Sequence, residues 1–378
     1  MHTAQPTPAP FAVSSWVDLL GAWVNRAPGF WRWLGNVETR LLADQIAATR
    51  IEQPIYISGL ARSGTTILLE ILAMHDTTVT HAYKDFPPVL TPYFWNWFLD
   101  RARQRDPVAV ERAHGDGIVV TPDSPEALEE VLWMAFFPHV HDPRHSNVLD
   151  ATTEAPAFAS FYANHLRKLL WLRGGRRYLA KGNYNITRLE YLLRLFPDAR
   201  FVIPVREPVS HIVSLMRQHE RFCQTHRDDP RALRYMQRVG HFEFGLDRRA
   251  INTGDSAAAG AIMTAWQQGR DAEGLARLWR NVHAHIIARL DASPTLADAV
   301  LIVRFEDLCD APASTLGAVF DHCHLHVDAG FMANAAARIR RPRHDDSAFD
   351  AATLETIVAL TSPVAVQFGY GTESPAVT

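Results

Sequence analysis

The sequence predicts an α/β fold: a P-loop-like three-layer sandwich with a mostly parallel central sheet and helical additions. Three observations carry this reading. Short apolar runs fall at 54–58, 178–181, 200–205 and 299–304, with helical patterns between them, which is the layout of βαβ units. The first run leads through Ser58-Gly59-Leu60-Ala61-Arg62-Ser63-Gly64-Thr65-Thr66 into the apolar stretch 67–72. A strand, a tight glycine loop and a helix start in that order form a phosphate cradle. A hydrophobic share of 47% over 378 residues is enough to fill one large core.

Taken in order, residues 1–11 are rich in Pro, Thr and Ala and predict a flexible lead. Trp16, Leu19, Leu20, Trp23 and Val24 then recur at helical spacing, and the aromatic patch continues through Phe30, Trp31, Trp33 and Leu34. This predicts an N-terminal helical segment over 1–50, laid against the core or a partner subunit, so the chain is open to homodimerisation. Its polar face is not clearly basic, which speaks against a membrane-surface helix. The α/β domain is expected over 51–345, with the charge-dense stretch 217–260 as a substrate-facing insertion, and a C-terminal helical tail over 346–378. No fixed-period repeat is present.

The formal charge of −3, with Lys+Arg 38 against Asp+Glu 41, offers no general pull on nucleic acid. Cys223, Cys309 and Cys323 are too few for a disulfide framework and point to a reducing compartment. No signal-peptide pattern and no uninterrupted apolar run of about 18 residues occurs, so no integral membrane association and a cytoplasmic location are expected.

The cradle itself is specific. Backbone N–H groups at a helix start, helped by the helix dipole, bind an anion without a metal. The spacing Gly59-x4-Gly64 matches the triphosphate-binding loop, yet Thr65 stands where that motif needs Lys, and Arg62 inside the loop is its strong cation. A second block, Phe201-Val202-Ile203-Pro204-Val205-Arg206-Glu207-Pro208, runs on through His211 to Ser214, and a third is Leu301-Ile302-Val303-Arg304-Phe305-Glu306-Asp307-Leu308. With these three ordered blocks the chain resembles the sulfotransferases that use 3′-phosphoadenosine 5′-phosphosulfate, and its Arg-Ser-Gly-Thr-Thr loop is similar to that of the tyrosylprotein and many bacterial branches. The resemblance implies this nucleotide as co-substrate and no metal. It implies that Gly59, Arg62, Ser63, Gly64, Thr65 and Thr66 hold the 5′-phosphate side, and that Arg206 and Ser214 clamp the 3′-phosphate. It also implies an acceptor that is a small molecule or other body bearing a hydroxyl or, less often, an amine. The late basic run at Arg340 and Arg343 is similar to a segment that closes over the 3′-phosphate, with a solvated basic face as the alternative.

Sulfuryl transfer rests on positioning and positive charge. The chain has only Lys84, Lys168 and Lys181 against 35 arginines. Lys181 closes the run 178–181, where ligands of open α/β sheets bind, and looks like the family's strand-end Lys that reaches the transferring group. For the base, Asp85 in His81-Ala82-Tyr83-Lys84-Asp85 is the first candidate, His81 its rival and Glu126 a third. The stretch around Glu126 otherwise reads as a capped helix start after Ser124. His139-Val140-His141 and His322-Cys323-His324-Leu325-His326 lack the companions of a metal site. The alternatives are a P-loop kinase of a small molecule, disfavoured by Thr65, and a non-catalytic nucleotide-binding protein. The aromatic run 93–98 reads as core first and as an acceptor wall second.

Overall fold

In the computed structural model, which describes residues 13–102, 110–111, 119–341 and 349–371, seven strands form. They are β1 Ile55–Ile57, β2 Thr78–Val79, β3 Val110–Glu111, β4 Val119–Val120, β5 Arg177–Lys181, β6 Arg200–Val205 and β7 Val300–Arg304. Five make an all-parallel sheet in the order β2-β5-β1-β6-β7, while β3 and β4 pair as a separate antiparallel ribbon. The four apolar runs read from the sequence are thus β1, β5, β6 and β7. β2 was not anticipated, since two residues carry no periodicity.

Alternation along the strands creates the layers. Ile55, Ile57, Leu179, Val202 and Val303 face one side and pack with Leu68, Leu69, Ile71, Leu72, Leu308, Leu316 and Phe320. Tyr56, Tyr178, Ala180, Phe201 and Ile203 face the other, against Tyr162, Leu166, Trp133 and Ile286. Both faces are covered by helices, as a parallel sheet requires. Each such fully buried side chain contributes about 1.5–3 kcal/mol.

β1 lies centrally, with Ile57 opposite Lys181 of β5 on one side and Val202 of β6 on the other. The chain leaves β1 toward β2 on one flank and places β6 on the opposite flank, so the crevice at the carboxyl end of β1 is the topological switch point.

The helices Ser15–Arg26 and Pro28–Leu41 lie on the side of the sheet that carries Pro156–Arg173. A buried ion pair pins them: Lys168 Nζ sits 2.6 Å from Glu38 Oε2 and also donates to the Gly35 carbonyl, with the two side chains only 1% and 0% exposed. Glu38 Oε1 accepts from the Phe94 N–H, which ties in the helix Pro92–Arg101. At the other end of the chain, Ala351–Phe368 has the length and apolarity of a membrane span, yet it packs on the helices Asp271–Ala292 and Pro208–Asp228. The expected helix start after Ser124 is absent. Residues 121–124 form a turn, and Ser124 and Pro125 then pass beside Ala82 and Tyr83, linked by the Ala82–Pro125 bridge and by Tyr83 N–H to the Ser124 carbonyl; the helix begins at Glu130. The expected flexible lead at 1–11 falls outside the described residues.

Because Glu38 and Lys168 are both desolvated, removing one partner leaves an uncompensated buried charge. Lys168→Met is expected to cost about 3–5 kcal/mol in urea unfolding, and Glu38→Gln with Lys168→Met together to cost less than the sum of the two single changes. Additive losses would show that the two groups are not coupled.

Candidate active site

The loop from β1 to the helix Thr65–Leu72 is held in a conformation its own sequence resists. Gly64 caps the helix at φ +103°, and no side chain caps it. A Cβ built at Gly64 would lie 2.9 Å from the Phe305 ring, so only glycine fits there. Arg62 adopts φ +71°, a costly value for a residue with a side chain. Inside the loop Ser63 Oγ donates to the Leu60 carbonyl at 2.7 Å.

The second block braces the first. Arg206, buried at the end of β6, donates from Nη1 to the Arg62 carbonyl (3.2 Å) and from Nε to Ser210 Oγ (3.3 Å), and its guanidinium stacks 4.8 Å over Phe305. Arg62 Nε donates to Ser214 Oγ at 3.3 Å, and the His211 ring sits 2.8 Å from the Ala61 carbonyl. Ser210, His211 and Ser214 all stand on Pro208–Asp228, whose start is capped by Glu207 accepting from the Val209 and Ser210 amides. The third block closes the brace: Glu306 Oε1 accepts from the Glu207 N–H and Oε2 from Tyr370 Oη. Burial disfavours the charge on Arg206, and Arg62 adds repulsion. A bound anion relieves both, so an uncapped helix start and two close guanidinium groups fit a nucleotide carrying two phosphate positions.

Lys181 ends β5 beside this loop, and the next amide, Gly182 N–H, donates to the Ile57 carbonyl. Two residues on, Asn183 Nδ2 donates to Glu243 Oε1 at 2.5 Å, while Glu243 Oε2 lies 3.4 Å from His241 Nδ1. Burial would raise the Glu243 carboxyl, but the neighbouring His241 ring, the Asn183 amide and the Lys181 charge hold it down to about 2. The loop bearing His241 and Glu243 is tied to the turn Asn183–Thr187 after β5 by the Phe242 N–H donating to Tyr184 Oη. This pair sits in the loop after the helix Pro230–Val239, within the stretch 217–260, and was not singled out from sequence. Its signal is a contact spanning 60 residues, which no local pattern reports.

Asp85, expected as the base, is instead a structural partner. It is 2% exposed, accepts from the Ala82 N–H at 2.8 Å, and both its oxygens receive Arg173 Nη2 at 2.6 and 2.7 Å. A carboxylate spent on a guanidinium and a backbone amide presents no oxygen to an incoming hydroxyl. His81 is equally buried, 3.0 Å from the His165 ring and 3.3 Å from Tyr178 Oη, and burial pushes its pKa down to about 4. Glu126 folds back on the Ala127 N–H at 2.6 Å. Arg340 is exposed beyond the helix Ala329–Ala337, and Arg343 lies outside the described residues.

His139 does find companions: ligand atoms of His139, Asp142 and His145 lie within 4.8 Å of one another. Arg144, however, already takes both Asp142 oxygens at 2.9 and 2.8 Å.

Comparison with known proteins agrees with this geometry. A family model described as the sulfotransferase family matches residues 54–329. The curated relatives include the omega-hydroxy-beta-dihydromenaquinone-9 sulfotransferase Stf3 of Mycobacterium bovis and that of Mycobacterium tuberculosis. Each is 26% identical over 215 residues, 54% of this chain and 53% of the relative. The chain therefore spans about half the length of the curated relatives it matches. Among solved structures, the sulfotransferase STF9 of Mycobacterium avium superposes with a TM-score of 0.50 at 15% identity, covering 89% of this chain and 82% of that one, a likeness of fold.

Two stability consequences follow from the buried groups. Asp85→Asn is expected to lower the unfolding free energy by about 1–3 kcal/mol, the cost of removing the charge that faces Arg173 and one of the two oxygens it donates to. Unchanged denaturation curves would return Asp85 to the candidates for the base. His81 holds fewer protons folded than unfolded between about 4 and 6.5, so its contribution is fully present at neutral pH and is lost as pH falls through that window. Urea midpoints measured across it should fall with pH, less steeply in His81→Gln; a parallel slope in that variant would assign the loss to other groups.

Proposed function

The chain belongs to the sulfotransferase family, and from that premise we propose that it moves a sulfuryl group from 3′-phosphoadenosine 5′-phosphosulfate to an acceptor hydroxyl by in-line transfer. The observation that carries this is the braced loop, in which the uncapped helix start at Gly64, Arg62 and Arg206 converge beside Lys181. The nucleotide supplies an activated sulfuryl group on a phosphate leaving group. The amides of Gly64, Thr65 and Thr66 with Arg62 hold the 5′ side, and Arg206 with Ser210 and Ser214 holds the 3′-phosphate. Lys181 meets the charge that builds during transfer.

The base in this reading is His241. Glu243 beside Nδ1 keeps the proton on that nitrogen and leaves Nε2 to take the acceptor's, the division of labour of an acid-oriented imidazole. His241 is 16% exposed, so it is reachable where His81 is not. The domain limits expected from sequence, 1–50, 51–345 and 346–378, remain our working division, with 217–260 as the part that faces the acceptor.

An apolar body carrying the hydroxyl is the acceptor class we favour. The curated relatives are named for an omega-hydroxy menaquinone. Phe86, on the loop after β2, packs edge-on to Tyr235 at 4.9 Å, giving that side of the insertion an aromatic wall. The site sits on a chain whose location we take as cytoplasmic.

Adenosine 3′,5′-bisphosphate should stabilise the protein in thermal shift far more than AMP, by ~2.7 kcal/mol at about 100 times its dissociation constant. Arg206→Ala should erase most of that difference, and equal shifts from both nucleotides would sink the reading. With labelled co-substrate, Lys181→Ala should lower turnover more than affinity. His241→Gln should lose about 10²–10⁴-fold in turnover while binding the bisphosphate normally. Turnover within about threefold of the parent, less than ~0.7 kcal/mol, would remove His241 from the chemistry.

A further inference from the structure

The N-terminal helices carry a surface that the site does not use. Trp16, Leu19 and Trp23 of Ser15–Arg26 are 56%, 74% and 51% exposed. Trp33 of Pro28–Leu41 and Trp97 and Phe98 of Pro92–Arg101 are about as exposed. These are not scattered residues. Trp23, Phe30 and Trp33 form a chain of ring contacts at 5.9 and 5.8 Å, and Trp16, Trp95 and Phe98 form another at 6.4 and 5.4 Å. Between them runs an open apolar groove of about 580 Å³ lined by Trp16, Leu19, Leu20, Trp23, Trp95 and Phe98. An exposed apolar patch of this extent marks an interaction surface.

Bases outnumber acids among the charges exposed around it. Asp18 is turned inward to Arg234 and Arg238, and Glu38 is buried against Lys168. What those two helices present outward is Arg26 and Arg40, while Arg32 packs 5.0 Å over the Phe136 ring, and Arg101 stacks 4.1 Å over the exposed Trp97; the exposed acids nearby are Asp100 and, on the short helix Ala43–Ala47, Asp44. The balance of acids and bases in the sequence hid this, because it counted acids that folding removes from the surface. A twofold contact with a second copy would set these arginines against themselves. An anionic lipid surface is complementary to them, and Trp is the side chain whose amphipathic ring favours the bilayer interface.

The face also reaches the acceptor side. Trp95 Nε1 donates to the Lys84 carbonyl at 2.6 Å, in the turn Tyr83–Asp85 that follows β2. Behind the helices, a second cavity of about 220 Å³ lies between Val24, Trp31 and the loop residues Phe86, Pro87 and Leu90.

We propose that this aromatic face docks the protein on the surface of an anionic lipid bilayer, with Trp16, Leu19, Trp23 and Trp33 entering the headgroup region and the arginines meeting lipid phosphates. The readout is vesicle binding and not turnover, so the proposal stands or falls apart from the sulfuryl-transfer reading.

The test is flotation of the full chain with vesicles of phosphatidylcholine alone and of phosphatidylcholine mixed with phosphatidylglycerol. Binding is expected on the mixed vesicles and to weaken with salt, with tryptophan emission quenched by acyl-chain-brominated lipid. Leu19→Glu with Trp23→Ser should weaken it about tenfold or more. Arg26→Gln, Arg40→Gln and Arg101→Gln together, all at exposed positions, should weaken it on the order of 100-fold with the melting temperature unchanged. No binding to either vesicle, or equal binding to both, overturns the proposal. So does a dimer in sedimentation equilibrium that Leu19→Glu splits, since the face would then be covered by a second copy.

Discussion

Everything at the site depends on one strained loop being held still. Arg62 and Gly64 both sit at positive φ, and a non-glycine residue there costs on the order of 1–3 kcal/mol. The loop cannot meet that cost alone, because its internal side-chain bond is Ser63 to Leu60. The bracing arrives from sequence 140 to 240 residues away: His211 on the Ala61 carbonyl, Arg206 on the Arg62 carbonyl and the Phe305 ring under Gly64. The three ordered blocks are therefore one mechanical unit. Arg206 is at once a brace and a candidate ligand, so its charge is fixed near the anion site before any anion arrives, which is the preorganisation that electrostatic catalysis needs.

Buried charge is the second organising theme. Around the sheet lie Glu38 with Lys168, Asp85 with Arg173, and Glu130 with Arg188 and His141. Glu129 accepts from Trp133, Tyr162, Tyr178 and Asn185, and burial, which outweighs those hydrogen bonds, raises its pKa. Such pairs add little net stability over apolar packing, but each penalises any arrangement that separates its partners. Here each one joins elements far apart in the chain: Glu130 and Arg188 are 58 residues apart, Glu38 and Lys168 130.

This explains what the sequence could and could not convey. The strands and the glycine loop were legible because they are local patterns: an apolar run, a glycine spacing, a helix start. Lys181 and Arg206 could be proposed as site residues because one ends β5 and the other directly follows β6. Asp85 reads as a base from its place after Lys84 and before Pro87, whereas the fold brings Arg173, 88 residues on, against both its oxygens. His241 and Glu243 were passed over in an insertion dense with charge, where only the fold decides which charges turn toward β5. The same blindness hid the sign of the N-terminal face, since Asp18 and Glu38 look solvated until Arg234, Arg238 and Lys168 are brought to them.

The scarcity of lysine then acquires a physical meaning. Lys168 is buried in its pair, Lys84 lies 2.6 Å from Asp123, and Lys181 ends β5 opposite Ile57, where β1 leads into the glycine loop. In the proposed site the groups that would hold an anion in place are arginines, whose planar fork fixes a phosphate in two directions at once. At the transfer point a fixed fork is a disadvantage, because charge moves from the acceptor side to the leaving oxygen as the reaction proceeds. A compact ammonium on a flexible stem follows that movement, so a chain that otherwise prefers arginine more than tenfold has reason to place lysine at 181. In the proposed reaction, Arg62 and Arg206 therefore supply position, and Lys181 supplies the charge that is worth more in the transition state than in the ground state.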